Sequence, residues 1–204
     1  MCWEIVMIFE QCETMFAGAP SAFFEKETAQ QSDHKYCALK GSDLLSDGYI
    51  STESLQRIEV KEGKKIDKFL LKSGDVVLLA RGQSMKCCIV TEEVAKHNLV
   101  ATANFIVIRI KSGLKAEFIV SYFNSPLGKK ALNHSSVSSS TNVIKSISLS
   151  GLKKINIKFP TVEVQNQIAG LFHAGIAANR ATLKLAEQQQ KTVEAKVLNL
   201  IEAT

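Results

Sequence analysis

A chain of 204 residues, 46% hydrophobic and 22% charged, suits one full domain plus an appendage and lies far from the disordered and membrane-embedded classes. No run reaches the roughly 18 apolar residues of a membrane span. The opening MCWEIVMIFE carries Glu4 and Glu10 where a signal peptide carries Lys or Arg, so a cytoplasmic protein is expected.

The net charge of +5 is unevenly spread. Residues 1–60 hold 4 basic against 10 acidic side chains, residues 61–160 hold 17 against 6, and residues 161–204 hold 4 against 4. The middle segment has the field that suits a polyanion, although a lysine-rich surface also serves plain solubility.

In chain order, IVMIF (5–9), RIEV (57–60), DVVLLA (75–80), CCIV (87–90), FIVIRI (105–110) and KINIKF (154–159) are β-branched apolar runs or alternate with period two. They are expected as strands. AEFIVSYFN (116–124) spaces Phe118, Ile119, Tyr122 and Phe123 for a helix, and SPLGKKAL (125–132) opens another with a Ser cap and a Pro in its first turn. SSVSSST (135–141) reads as a loop leading into the strand VIKSIS. The expected fold class is α/β, mixed α and β, with a body over residues 1–160.

Residues 161–204 differ in kind. Thr161 caps an expected long helix with Glu163 in its first turn, and steps of four and three then alternate through Phe172, Ile176, Asn179, Leu183, Ala186, Gln190, Val193, Val197 and Leu200. This is a coiled-coil seam, about 60 Å long if continuous and too long for the body to bury. Gly170 and Gly175 are its weak points, each costing about 1 kcal/mol relative to Ala. Antiparallel pairing with a second copy sets Asn179 across from Gln190 and Phe172 across from Val197, with a two-fold axis near residues 184 and 185, whereas parallel pairing sets Asn179 and Gln190 each across from itself, and the spacing allows both.

For chemistry the chain offers little. Five cysteines without a CxxC spacing fit neither a disulfide framework nor a zinc site, so reduced thiols and no metal are expected. Cys87 or Cys88 with His97 or His134 is the one nucleophile arrangement available, and the apolar strand CCIV favours core cysteines instead. No GxGxxG, Walker A, HExxH or GxSxG occurs, so neither a cofactor nor catalysis is expected.

Donor-rich loops are more informative. Arg81, Gln83, Ser84 and Lys86 in RGQSMK, with Lys40 and Ser42 in LKGSD and Thr141, Asn142 and Lys145 in the serine-rich loop, are the groups that phosphates and base edges accept. Each loop alone also reads as an ordinary polar turn.

The order of the pieces says more than any one of them. WEIV…AGAPS, YCALKGSDLLSDGYIS, KSGDVVLLARGQS, ATANFIVIRIK, FIVSYFNSPLGKKAL and VIKSISLSGLKKINIKFPTVEVQNQIAGLF, followed by a heptad helix, together resemble one half of the specificity subunit of type I restriction-modification systems. The resemblance covers nearly the whole chain. It implies a target recognition domain over 1–160 that binds one part of a split DNA site and a spacer helix over 161–204. The implied partners are duplex DNA, an adenine methyltransferase subunit, restriction subunits in complete systems, and a second copy or half. A scaffold that docks partners through the helix and reads no DNA is the alternative.

Overall fold

The computed structural model describes residues 4–25, 35–82, 85–138 and 145–202. The chain opens with β1 (Glu4–Met7), makes a 3-10 turn over Ile8–Gln11 and continues as β2 (Cys12–Ala17). Then come β3 (Tyr36–Leu39), β4 (Gln56–Ile58), β5 (Val76–Leu79), β6 (Arg81–Gly82), β7 (Cys87–Ile89), the short α1 (Glu92–Ala95), β8 (Leu99–Ala101) and β9 (Phe105–Ile110). The second half holds α2 (Ala116–Asn124), α3 (Pro126–His134), β10 (Ser136–Ser138), β11 (Lys145–Ile147), α4 (Leu149–Lys153), β12 (Asn156–Phe159) and α5 (Val162–Glu202).

The centre is an antiparallel sheet in the order β2-β9-β5-β7. Its middle strands VVLL and FIVIRI are near-continuous apolar runs because both faces are covered. Val76, Leu78, Ile106 and Ile108 join one cluster with Phe118, Ile119 and Phe123 of α2, while Val77, Phe105 and Val107 join another with Leu39, Leu99 and Ala101. The second cluster rests on a smaller sheet, β4-β3-β8, in which β3 and β8 run parallel, so the body is mixed in strand direction. Two further ladders, β10-β11-β6 and β1-β12, complete the strands.

The helices begin where the residues dictate. Ser125 Oγ accepts the Gly128 N–H with Pro126 in the first turn of α3, and Ser148 caps α4 in the same way.

Several expectations change, among them two loops: Arg81–Gly82 of RGQSMK and Ser136–Ser138 of the serine-rich stretch are short strands. The strand expected over 5–9 stops at Met7, because fully buried Ile8 turns inward and its N–H donates to the Ile155 carbonyl at 2.9 Å. The strand expected from Lys154 begins at Asn156, since Lys154 and Ile155 finish α4. β2, β3 and β8 were not expected at all. β3 and β8 are short, and the apolar residues of β2 do not alternate cleanly.

The terminal helix runs unbroken from Val162 to Glu202. Gly170 and Gly175 sit on its exposed side, with nothing within 4 Å of where a side chain would start, and neither interrupts it.

Candidate nucleic-acid interface

The candidate donors gather at one end of β5. The turn Gly41–Asp43 lies against this strand, since a methyl group added at Gly41 would come 3.5 Å from Leu79. Lys86 follows on the far side: Leu79 N–H donates to its carbonyl at 2.9 Å, and its own ammonium donates to the Leu44 carbonyl at 3.0 Å. β11 completes the rim by pairing Ser146 with Arg81 and Lys145 with Gly82, and Ile147 N–H donates to the Ala80 carbonyl.

Lys40, Ser42 and Arg81 are exposed. Ser42 donates weakly to Asp43, whose carboxylate accepts the Lys40 N–H at 2.8 Å and so holds the turn. The Lys86 ammonium keeps two further hydrogens after its bond to Leu44. Gln83, Ser84, Thr141 and Asn142 lie outside the described residues.

Sequence reasoning overlooked α3. Lys129, Lys130, Asn133 and His134 are exposed on it, and Asn133 Oδ1 accepts the Lys145 ammonium at 3.2 Å, which ties this helix to the rim. The signal was present in KKALNH, whose polar residues fall at i, i+1, i+4 and i+5 on one side of a helix.

The opposite end of β5 is built around an ion pair. Asp75, 1% exposed, accepts the Lys72 N–H at 2.8 Å and both arms of Arg109 at 2.7 and 2.6 Å. Gly74 takes φ +84° to make the turn, so the SGD signature is an element of folding rather than of contact. The two strand cysteines lie inside. Burial pushes the Cys87 thiol well above its usual value and Cys88 to about 12, and Cys88 Sγ points at the Leu45 carbonyl. Among the described residues no histidine is bonded to either, so a thiolate nucleophile has nothing to form it.

The terminal helix is fastened to the body over its first half. Gln165, 2% exposed, accepts the Lys115 N–H and donates to the Pro160 carbonyl, and Ala169 is buried beside it. One heptad on, Phe172 stacks on Tyr49 with ring centroids 5.6 Å apart, over Gly48. Gly48 has φ +90°, and a side chain there would sit 3.0 Å from the Phe172 ring.

His173 bridges Tyr49 Oη at 2.6 Å and Glu117 at 2.9 Å. Burial keeps the Tyr49 phenol protonated; it donates to Nδ1 of a neutral imidazole and accepts from an imidazolium, while Nε2–H serves Glu117 in both cases. Arg180 ends the fastening, bonded to Asp47 at 3.0 and 3.1 Å with its guanidinium 4.8 Å from the Tyr49 ring centre.

Every described residue from 181 onward is exposed. Of the expected seam, Asn179, Leu183, Ala186, Gln190, Val193, Val197 and Leu200 face solvent and Ile176 is half-buried, whereas Phe172 has an intramolecular partner.

No helix among the described residues is long and apolar enough to cross a membrane. No curated protein matches the sequence. The HsdS subunit from Thermoanaerobacter tengcongensis superposes with a TM-score of 0.55 at 18% identity, over 90% of this chain and 39% of that one. The S subunit of a type I restriction-modification system from M. genitalium does so with 0.53 at 14%, over 92% and 41%. These likenesses show a shared fold, and the chain spans about two fifths of the length of either relative. The family model described as the type I restriction modification DNA specificity domain matches residues 17–194, and the chain belongs to that family.

Proposed function

We propose that the chain is a non-catalytic DNA specificity unit. The body over 1–160 reads one part of a split duplex target with the rim at the end of β5. The bare half of α5 pairs with a second copy, and the assembly directs an adenine methyltransferase subunit, and restriction subunits in complete systems, to the site. One observation carries this reading: Lys40, Ser42, Arg81, Lys86 and Lys145 are brought to a single edge of a domain whose family is a DNA specificity family. Gln83, Ser84, Thr141 and Asn142 are proposed contacts of the same loops. Catalysis falls to the partners, since the buried thiols lack an activating base.

The test is a titration of duplex DNA at two salt concentrations. Contact with about six phosphates lowers affinity roughly a thousandfold between 50 and 200 mM salt. A flat response would remove the DNA reading and leave the alternative, a scaffold that docks partner proteins through α5 alone.

A further inference from the structure

Of the polar groups near the rim, those on α3 are the most firmly placed. Gly128 lies so close to α2 that a side chain starting there would overlap the Tyr122 carbonyl, and Ser125 joins the two helices by donating to that carbonyl and accepting from the Gly128 N–H. Leu132, 1% exposed, shares a core cluster with Ile147 of β11. The outward side of α3 is therefore fixed against the strand that carries Lys145. A helix held in this way presents a contact more precisely than a loop does.

Asn133 is the residue on that side whose orientation is settled. Its Oδ1 accepts the Lys145 ammonium at 3.2 Å, and its main-chain carbonyl accepts the Ser136 hydroxyl at 2.8 Å. The first bond fixes the amide, because the flipped side chain would set its own NH2 group against an ammonium. Oδ1 keeps a second lone pair, and among the described residues Nδ2 has no partner. Exposed Asn133 thus offers an acceptor and a donor side by side.

Resting on the DNA reading proposed above, we infer that Asn133 is a base-reading residue of the domain and that Lys145 is the positioning residue that orients it. An acceptor beside a donor matches the N6 amino group and N7 of adenine, the one base whose major-groove edge carries both. Lys129 stands one turn before Asn133 on the same side of the helix and is left for a flanking phosphate. Lys145 acts on DNA through the amide it holds.

Selection by the full chain from a pool of random-sequence duplexes supplies an enriched duplex, and titrations on that duplex carry the test. Replacing its adenines one at a time by 7-deazaadenine removes N7 and leaves the base pairs intact. At one adenine the replacement weakens the wild-type chain about tenfold. Asn133→Ala binds the unmodified duplex about tenfold more weakly than wild type and is indifferent to that replacement. Asn133→Asp keeps a partner for Lys145 but has no donor, so it shows the same indifference even if the alanine variant folds poorly. Lys145→Met lowers the sensitivity to 7-deazaadenine severalfold, whereas loss of a charge alone would weaken both duplexes equally.

If no adenine matters to the wild-type chain, or if every adenine effect survives in Asn133→Asp, the inference is overturned while the DNA reading stands. Full sensitivity in Lys145→Met would overturn its positioning role. Failure to enrich any sequence, with a flat salt response, would remove the DNA reading itself and this inference with it.

Discussion

The two ends of β5 are both polar, and they use their polarity in opposite ways. At Asp75 the carboxylate is consumed: it is buried, takes a backbone N–H and holds both arms of Arg109. At Leu79 the strand opens onto Arg81, Lys40 and the ammonium of Lys86, which present hydrogens the fold itself does not use. Both ends stood out in the sequence as one stretch, KSGDVVLLARGQSMK. What separates them is satisfaction, and satisfaction is a property of the folded neighbourhood.

The contrast is broken most forcefully at the Asp75 end. Asp75→Ala strands Arg109, and we expect a loss of about 2–3 kcal/mol in unfolding free energy. That is below the range for a fully buried pair, because the guanidinium keeps some access to water. Urea denaturation measures it, and a loss under about 0.5 kcal/mol would show that the ion pair does not hold this end. Phe172→Ala comes next, at about 1–2 kcal/mol for a half-buried ring. Hydrogen exchange should quicken in the fastened part of α5 and stay unchanged beyond residue 185.

At the open end the readout shifts from stability to binding. Arg81→Ala should leave the melting temperature nearly untouched while weakening duplex binding by about 1 kcal/mol and lowering the salt slope by about one. If the variant melts early instead, Arg81 belongs with Asp75 rather than with the rim. The smallest effect concerns the strut. On the proposed antiparallel dimer with its axis near residues 184 and 185, Glu187 comes beside Arg180 of the other copy, so Glu187→Gln should loosen the dimer about twofold by sedimentation.

The helices and the central strands were legible in the sequence because a single local rule governs each. Phe118, Ile119, Tyr122 and Phe123 repeat with helical spacing, Ser125 and Pro126 announce α3, and VVLL and FIVIRI have the composition of strands covered on both faces. β2, β3 and β8 were not legible, since their partners lie far away in sequence: Met15 pairs with Ile108, and Ala38 with Val100.

The fate of the candidate donors followed the same division. That Lys86 turns back to Leu44, or that Asn133 on α3 reaches Lys145, depends on contacts across 42 and 12 positions, which no spacing encodes. The helix over 161–204 was legible from its spacing, but spacing does not say which of its residues the body covers. Gln165, Ala169 and Phe172 turned out to face the body.

The turn Asp47-Gly48-Tyr49 carries a further consequence for how the rim and the strut are joined. The body grips its strut through these three residues, Glu117 and the backbone at Lys115 and Pro160. The same loop leads back to the rim, since the Leu45 N–H donates to the Tyr49 carbonyl, the Ser51 N–H to the Asp43 carbonyl and the Lys86 ammonium to the Leu44 carbonyl. A replacement of residues 40–44 would therefore have to keep the Leu45–Tyr49 and Ser51–Asp43 bonds for this helix to be held unchanged.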